Sequence, residues 1–204
     1  MAAPRILRAL TTALAALGLI LLPAAAAPAS AADVDDFSYA SWDAHYRVGL
    51  DDEGRATMTV TEELVARFPD TDQNRGIVRG LATSYEGARL DTRVLSVTDG
   101  DGEPVPYETE TDDGVLYVLT GDDSYVRGLT TYVIEYEMRD VVLAAESGVD
   151  EFYWDLLPLD STQPIERFDA TITIDDALAT ALTGATGCYQ GFSGDDASCT
   201  VEGP

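Results

Sequence analysis

The sequence predicts an all-β domain, a single β-sandwich of immunoglobulin-like type, that follows an N-terminal signal peptide. Three observations favour this fold: short segments that alternate apolar and polar residues, Gly and Asp turns between them, and aromatic residues spread along the chain beyond residue 32. Strands with this alternation and spacing are typical of sandwiches. The 204 residues suit one domain, so we expect a signal peptide at 1–31 and one sandwich domain at 32–204.

The N-terminal residues have the pattern of an export signal. Arg5 and Arg8 precede an uncharged run rich in Leu and Ala, and Ala29-Ser30-Ala31 fits the small-x-small pattern of a cleavage site. The alternative is a retained membrane anchor, but two prolines and an Ala-rich end are unfavourable in a spanning helix. We therefore expect cleavage after Ala31 and an exported protein, either secreted or on the extracytoplasmic side of the membrane.

The strand signals follow one another along the body of the chain. Residues 42–50 alternate apolar and polar side chains, and residues 57–65 repeat the pattern after an acidic Gly turn, which predicts a hairpin. The clearest strand covers residues 130–139. Only residues 176–183 have a helical pattern, with leucines one turn apart. Further strands are expected at 90–98, 105–109, 115–120, 151–156 and 168–174.

The charge balance limits the class of partner. The chain has 12 arginines, no lysine, 37 acidic residues and a formal net charge of −25. Nucleic acids and anionic lipid surfaces are bound by clustered cations, so we expect no nucleic-acid ligand. Membrane association is expected only through a segment that this chain does not contain.

The two cysteines predict a disulfide bond. Cys188 and Cys199 enclose a short segment with a turn-like centre, and export would place them in an oxidising compartment. A metal site or a catalytic thiol would need further ligands or a nearby base, but the single histidine, His45, is far away in the sequence. We therefore expect a Cys188–Cys199 bridge, no metal and no cofactor.

Acidic turns and carboxylate pairs are further candidates for chemistry. Residues 99–103 alternate acid and Gly as some calcium loops do, but Pro104 interrupts the calcium-loop pattern, and a hairpin turn is favoured over weak calcium binding. Neighbouring carboxylates such as Glu62-Glu63 and those at 150–151 would suit a glycosidase. Such pairs also arise by chance in a chain with 37 acids.

Four residues are candidates for a binding surface: Arg75, Arg79, Tyr153 and Trp154. The two arginines lie beside glycines, and their forked guanidinium groups suit a carboxylate or phosphate ligand. The alternative is that they pair with acids of the chain across a loop. Phe152, Tyr153 and Trp154 are consecutive aromatics, which could stack on a sugar or a partner chain, or place Trp154 in the core.

Several short motifs occur in a particular order along the chain. They are TVTE at 59–62, RGIVR at 75–79, GEPVPYE at 102–108, YVIEY at 132–136, EFYWD at 151–155, PIE at 164–166 and CYQG at 188–191, followed by Cys199. Together they resemble the N-terminal extracytoplasmic region of the bacterial domain-of-unknown-function family 2207, described as predicted membrane proteins. The chain departs from that family at Asp155, where Asn is usual, and at Gln163, where Trp is frequent.

The resemblance implies a β-rich domain outside the membrane, in proteins that typically continue into transmembrane helices and a cytoplasmic tail. It supplies no activity and no catalytic residues. We therefore expect a non-catalytic binding or sensory ectodomain of a membrane-associated protein, with an unknown protein or envelope component as its partner. The alternatives are a secreted hydrolase that acts on cell-wall glycans through an Asp/Glu pair, and a structural envelope component.

Overall fold

The structure is a computed structural model that describes residues 33–144, 148–158, 161–191, 195 and 197–203. The predicted signal peptide lies outside these residues. Within them, no helix has the length and apolar character that a membrane span requires.

Three long strands form the centre of the molecule. β1 (Ser38–Leu50) and β2 (Ala56–Phe68) are the predicted hairpin, and their antiparallel register runs from Ser38 with Arg67 to Leu50 with Ala56. β9 (Gly128–Arg139) pairs antiparallel with the other side of β2. The remaining elements are β3 (Val78–Ala82), β4 (Ser84–Tyr85), β5 (Ala88–Arg89), β6 (Arg93–Thr98), β7 (Tyr107–Asp112), β8 (Val115–Thr120), β10 (Phe168–Ile174), α1 (Asp176–Ala179), β11 (Tyr189–Gln190) and β12 (Ala197–Ser198).

The strands form two larger sheets and two small hairpins. The larger sheet has the order β10-β1-β2-β9-β6, in which β10 runs parallel to β1, and the smaller one has the order β3-β8-β7. The hairpins β4-β5 and β11-β12 complete the described strands. The all-β prediction is confirmed.

Alternation within the strands builds the core. The inward side chains of β9 that the sequence predicted, Tyr132, Ile134, Tyr136 and Met138, are at most 2% exposed. Their neighbours on β1 and β2 are equally buried, and Ile77, Leu81 and Val118 join this core from the smaller sheet and its approach. The two sheets therefore enclose one apolar layer.

Three expected elements differ from the structure. Residues 151–156 form no strand, and only Glu151 makes an isolated bridge, with Leu143. The RGIVR motif, expected in a loop, enters β3, because Val78 to Ala82 pair with β8. The helix at 176–183 is wrong in length: α1 ends at Ala179, and Leu182 is 60% exposed, so a second turn would bury little apolar surface.

Candidate functional site

Glu62 occupies an unusual place for a carboxylate. It lies on β2, the strand at the centre of the larger sheet, and the period of two places it on the same face as the apolar Met58, Val60 and Leu64. This face is turned towards the core, and Glu62 is 0% exposed. A buried carboxylate is tolerated only where other groups satisfy its oxygens.

Arg79 satisfies both oxygens of Glu62 from the opposite sheet. Its Nε donates to Oε2 and its Nη2 to Oε1, each at 2.8 Å, and Nη1 donates to the carbonyl of Gly80. The guanidinium carbon lies 5.0 Å from the centroid of the Trp42 ring, on β1. The buried pair therefore joins β3 of the smaller sheet to the middle of the larger one.

Tyrosines complete the surroundings of this pair. The hydroxyl of Tyr136 donates to Oε1 of Glu62 at 2.8 Å. Burial, and then the negative charge of Glu62, raise the pKa of Tyr136 and of Tyr46 far above the usual value. Burial alone would lower the pKa of the Arg79 guanidinium, but the adjacent Glu62 carboxylate outweighs this effect and raises it. Arg79 therefore keeps its proton beside tyrosines that stay neutral.

Arg75, the other arginine of the motif, lies in a different environment. It is exposed, and its guanidinium carbon lies 4.9 Å from the centroid of the Tyr125 ring. The adjoining Gly76 and the facing Gly121 serve backbone packing, since a Cβ at Gly76 would overlap the carbonyl of Thr120 and one at Gly121 the carbonyl of Arg75. The glycines of this motif thus allow two chain segments to approach closely.

The three consecutive aromatics lie on what we call the aromatic segment, residues 151–156. Phe152 and Trp154 turn inward, half-buried, with nearly parallel rings 6.5 Å apart at 5°. Tyr153 points outward and is 46% exposed. Tyr85 of the β4-β5 hairpin stacks on Tyr153, with centroids 6.4 Å apart and planes at 9°, and its ring lies 6.0 Å from that of Trp154.

The aromatic segment is held at both ends. Glu151 exchanges two backbone hydrogen bonds with Leu143, of 2.8 and 2.9 Å. At the other end the carbonyl of Leu156 accepts a hydrogen bond of 3.1 Å from the hydroxyl of Tyr46, a core residue of β1. The exposed ring of Tyr153 is therefore carried by a backbone that is tied to the core.

Carboxylates surround the two tyrosines of this surface. Glu151 and Asp155 alternate with the inward rings and are exposed, and Glu86 follows Tyr85 in the hairpin turn. The hydroxyl of Tyr153 lies 3.5 Å from Oδ1 of Asp155. Partial burial raises the pKa of Tyr85, and the charges of Glu86, Asp155 and Glu151 raise it further.

The four predicted binding residues thus fall into three places. Tyr153 and Trp154 come together through Tyr85, which no sequence pattern indicated. The guanidinium of Arg79 is not available to an outside ligand, because Glu62 and the carbonyl of Gly80 accept its hydrogen bonds. Arg79 therefore pairs with an acid of the chain, as the alternative interpretation predicts, but it does so from strand β3 and not from a loop. In the described residues, no hydrogen bond, ion pair or cation–ring contact joins either arginine to the aromatic segment.

The Glu62-Glu63 pair and the acidic turn at 99–103 are accounted for by local structure. Glu63 is exposed on the face of β2 opposite to Glu62, so the two carboxylates do not share a cleft. In the turn at 99–103, Oδ1 of Asp99 accepts hydrogen bonds of 2.9 Å from the backbone of both Asp101 and Glu103. Among the residues described, no group of three His, Cys, Asp or Glu side chains could hold a metal ion.

The predicted disulfide is present. Cys188 and Cys199 are bonded, with Cα atoms 5.1 Å apart, and the backbone amide of Cys199 donates to the carbonyl of Cys188 at 3.0 Å. The bridge closes the β11-β12 hairpin, whose strand residues are exposed. This prediction is confirmed.

Comparison with known proteins identifies one matching family model. The model for the N-terminal domain of a predicted membrane protein (DUF2207) matches residues 44–198, which confirms the resemblance expected from the order of the motifs. No curated protein matches the sequence.

Solved structures give distant similarities. Leukotriene A4 hydrolase from Saccharomyces cerevisiae matches 70% of this chain at 16% identity with a TM-score of 0.42. An M1 zinc metallopeptidase from Deinococcus radiodurans matches 50% of this chain at 20% identity with a TM-score of 0.33. This chain covers 24% of the first protein and 20% of the second, so most of each has no counterpart in it.

Proposed function

Because this chain belongs to the DUF2207 family of predicted membrane proteins, we propose that it is an extracytoplasmic, non-catalytic binding or sensory ectodomain of a membrane-associated protein. Its partner would be a protein or another component of the cell envelope. The observation that carries this proposal is the aromatic segment, which presents Tyr153 on a backbone held by hydrogen bonds at both ends, at one of them by the core residue Tyr46.

An aromatic surface on an ordered backbone is suited to the recognition of a partner. Tyrosine offers a large contact area, and its polar hydroxyl remains compatible with water before binding. Ordering flexible groups costs free energy on association, and a surface that is already ordered avoids much of that cost. The segment at 151–156 needs no rearrangement to present Tyr153 together with Tyr85.

Two features support an extracytoplasmic location. The Cys188–Cys199 bridge is of a kind that persists in oxidising compartments and is rare in the cytosol. The N-terminal residues have the charge and small-residue pattern of an export signal.

The surroundings of Glu62 and Glu63 argue against this pair as the two carboxylates of a hydrolase. A glycosidase needs two carboxylates that flank one bond, one of them free to give a proton. Both oxygens of Glu62 are occupied by Arg79, one of them also by Tyr136, and the neighbouring Glu63 faces the other way.

The state of the cysteines in living cells tests the location. Cells that produce the full chain are quenched in acid, and free thiols are alkylated before and after reduction. We expect Cys188 and Cys199 to react only after reduction. A matched variant without residues 1–31 should stay in the cytosol, where we expect its thiols to react at once. Free thiols in the full chain would contradict the proposal.

A further inference from the structure

We infer that the aromatic segment and Tyr85 form a site for cationic side chains, and that the partner presents a basic segment with arginine or lysine at this surface. The inference rests on the proposed binding function and adds the chemical class of the ligand. It draws on three observations: the aromatic rings, the carboxylates beside them, and the way this chain places its own arginines.

The rings provide faces that attract a cation. Aromatic faces carry partial negative charge, and a guanidinium or ammonium group within about 6 Å of a ring centroid is attracted to it. Tyr85 and Tyr153 lie nearly parallel at 9°, while Trp154 is tilted by 53° against Tyr85. A cation at this surface would therefore meet rings in more than one orientation.

The carboxylates at the edge of the rings supply the opposite charge. Glu86, Glu151 and Asp155 are all exposed, and their charges act together on the hydroxyl of Tyr85. A carboxylate alone on a surface stays hydrated and binds cations weakly. Beside an aromatic face, the apolar side of a guanidinium loses water while its N–H groups reach the carboxylates, so the two attractions add.

The molecule already uses this combination in its core. Arg79 lies over the ring of Trp42 while it donates to Glu62. At the aromatic segment the rings and acids are present, but no arginine of the described residues lies over these rings. The surface thus offers to an outside cation the two kinds of group that hold Arg79 inside.

Charge argues against two other occupants. A second copy of the chain would bring its own net charge of −25 to the interface, and like charges repel. An anionic glycan would meet the same acids. A basic protein segment, by contrast, would be drawn in by the field of the whole domain.

Binding of a tetra-arginine peptide to the purified full chain, measured by calorimetry at physiological ionic strength, tests the inference. The matched probe is the tetra-citrulline peptide, which keeps the shape and lacks the charge. We expect Tyr153→Leu to weaken binding of the arginine peptide about tenfold. Tyr107→Leu, which removes an exposed tyrosine that is followed by Glu108 on β7, should leave it unchanged.

A second pair of variants separates the site from the general acidity of the chain. Glu151→Gln with Asp155→Asn and Glu108→Gln with Glu110→Gln remove the same charge from two exposed places. We expect only the first pair to weaken binding, by several-fold. Circular dichroism and urea unfolding confirm that each variant is folded.

Three outcomes would overturn the inference: equal losses in both pairs, equal binding of the citrulline peptide, or a Tyr153-dependent binding of neutral chito-oligosaccharide without binding of the arginine peptide. The last outcome would leave the proposed binding function intact. Free cysteine thiols in the cell would instead contradict the extracytoplasmic location on which that function depends.

Discussion

Two arginine–carboxylate pairs of this protein are both bidentate but lie in opposite environments. Arg79 donates two hydrogen bonds of 2.8 Å to Glu62 between the sheets. Arg167 donates two hydrogen bonds of 2.7 Å to Asp43 on the outer face of the larger sheet, and a further one to Asp169. The Arg167 side chain is 55% exposed, whereas Glu62 is completely buried.

The environment of each pair, and not its hydrogen-bond length, decides how much the pair contributes to stability. Water and salt screen the outer pair and hydrate each partner when the other is removed. The inner pair was desolvated on folding, and its charges have only each other, Tyr136, a carbonyl and the Trp42 ring as compensation. Removing one inner partner leaves a buried charge that nothing neutralises.

The largest effect is expected from breaking the inner pair. Arg79→Met should lower the free energy of unfolding by about 3–5 kcal/mol, because Glu62 would remain buried without its counter-charge. The matched control is Arg167→Met, for which we expect little change, since Asp43 stays in contact with water. Urea unfolding followed by circular dichroism measures both.

The double variant Glu62→Leu, Arg79→Met tests whether the loss comes from an uncompensated buried charge. It removes both charges, so it should be clearly less destabilised than the sum of the two single variants. Additive losses would show that the two side chains contribute through packing alone, and the contrast with Arg167 would then have no electrostatic basis.

Alkaline pH is expected to act on the interior around the inner pair. Burial first, together with Glu62, raises the pKa values of Tyr39, Tyr46 and Tyr136. Above about pH 10 the unfolded chain releases these protons while the folded chain keeps them, so stability falls as pH rises towards the folded-state pKa values. Each tyrosine contributes about 1.4 kcal/mol per pH unit, or about 4 kcal/mol for the three at pH 11.

Urea unfolding at pH 8, 10 and 11 measures this loss, and phenylalanine variants assign it. Tyr46→Phe should make the decline above pH 10 shallower by about one quarter to one third, because Tyr46 is one of three tyrosines near Glu62 and burial also raises the pKa of Tyr132. Tyr107→Phe, at a residue exposed on β7, should leave the decline unchanged. An equal effect of both variants would mean that the buried tyrosines do not titrate differently from exposed ones.

The same comparison explains which features were predictable. The larger sheet follows from local alternation, so the inward residues of β9 could be assigned from the sequence. The position of Glu62 was also available, because the period that turns Met58, Val60 and Leu64 inward includes it. Its residue type argued against a core position, since carboxylates are rarely buried in a core.

Contacts between distant segments could not be predicted in this way. Arg79 reaches Glu62 only because β3 pairs with β8, and the glycines around the motif suggest a loop when read locally. The exposure of Tyr153 follows from alternation with its inward neighbours, but the stacking of Tyr85 on it joins two segments remote in sequence. No local pattern contains such a pairing.

The smallest expected effect is a difference between the two pairs in how their contribution to stability depends on salt. At low ionic strength Arg167→Met should lower the urea midpoint slightly, and in 1 M NaCl, where the screening length is about 3 Å, this difference should vanish. The deficit of Arg79→Met should persist, because salt ions do not reach a pair enclosed between the sheets. Each variant is compared with the parent chain at the same salt concentration, since salt also relieves repulsion among the 37 acids. If the deficits of both variants decreased together, the inner pair would be accessible to solvent ions, and its difference from the outer pair would be one of degree.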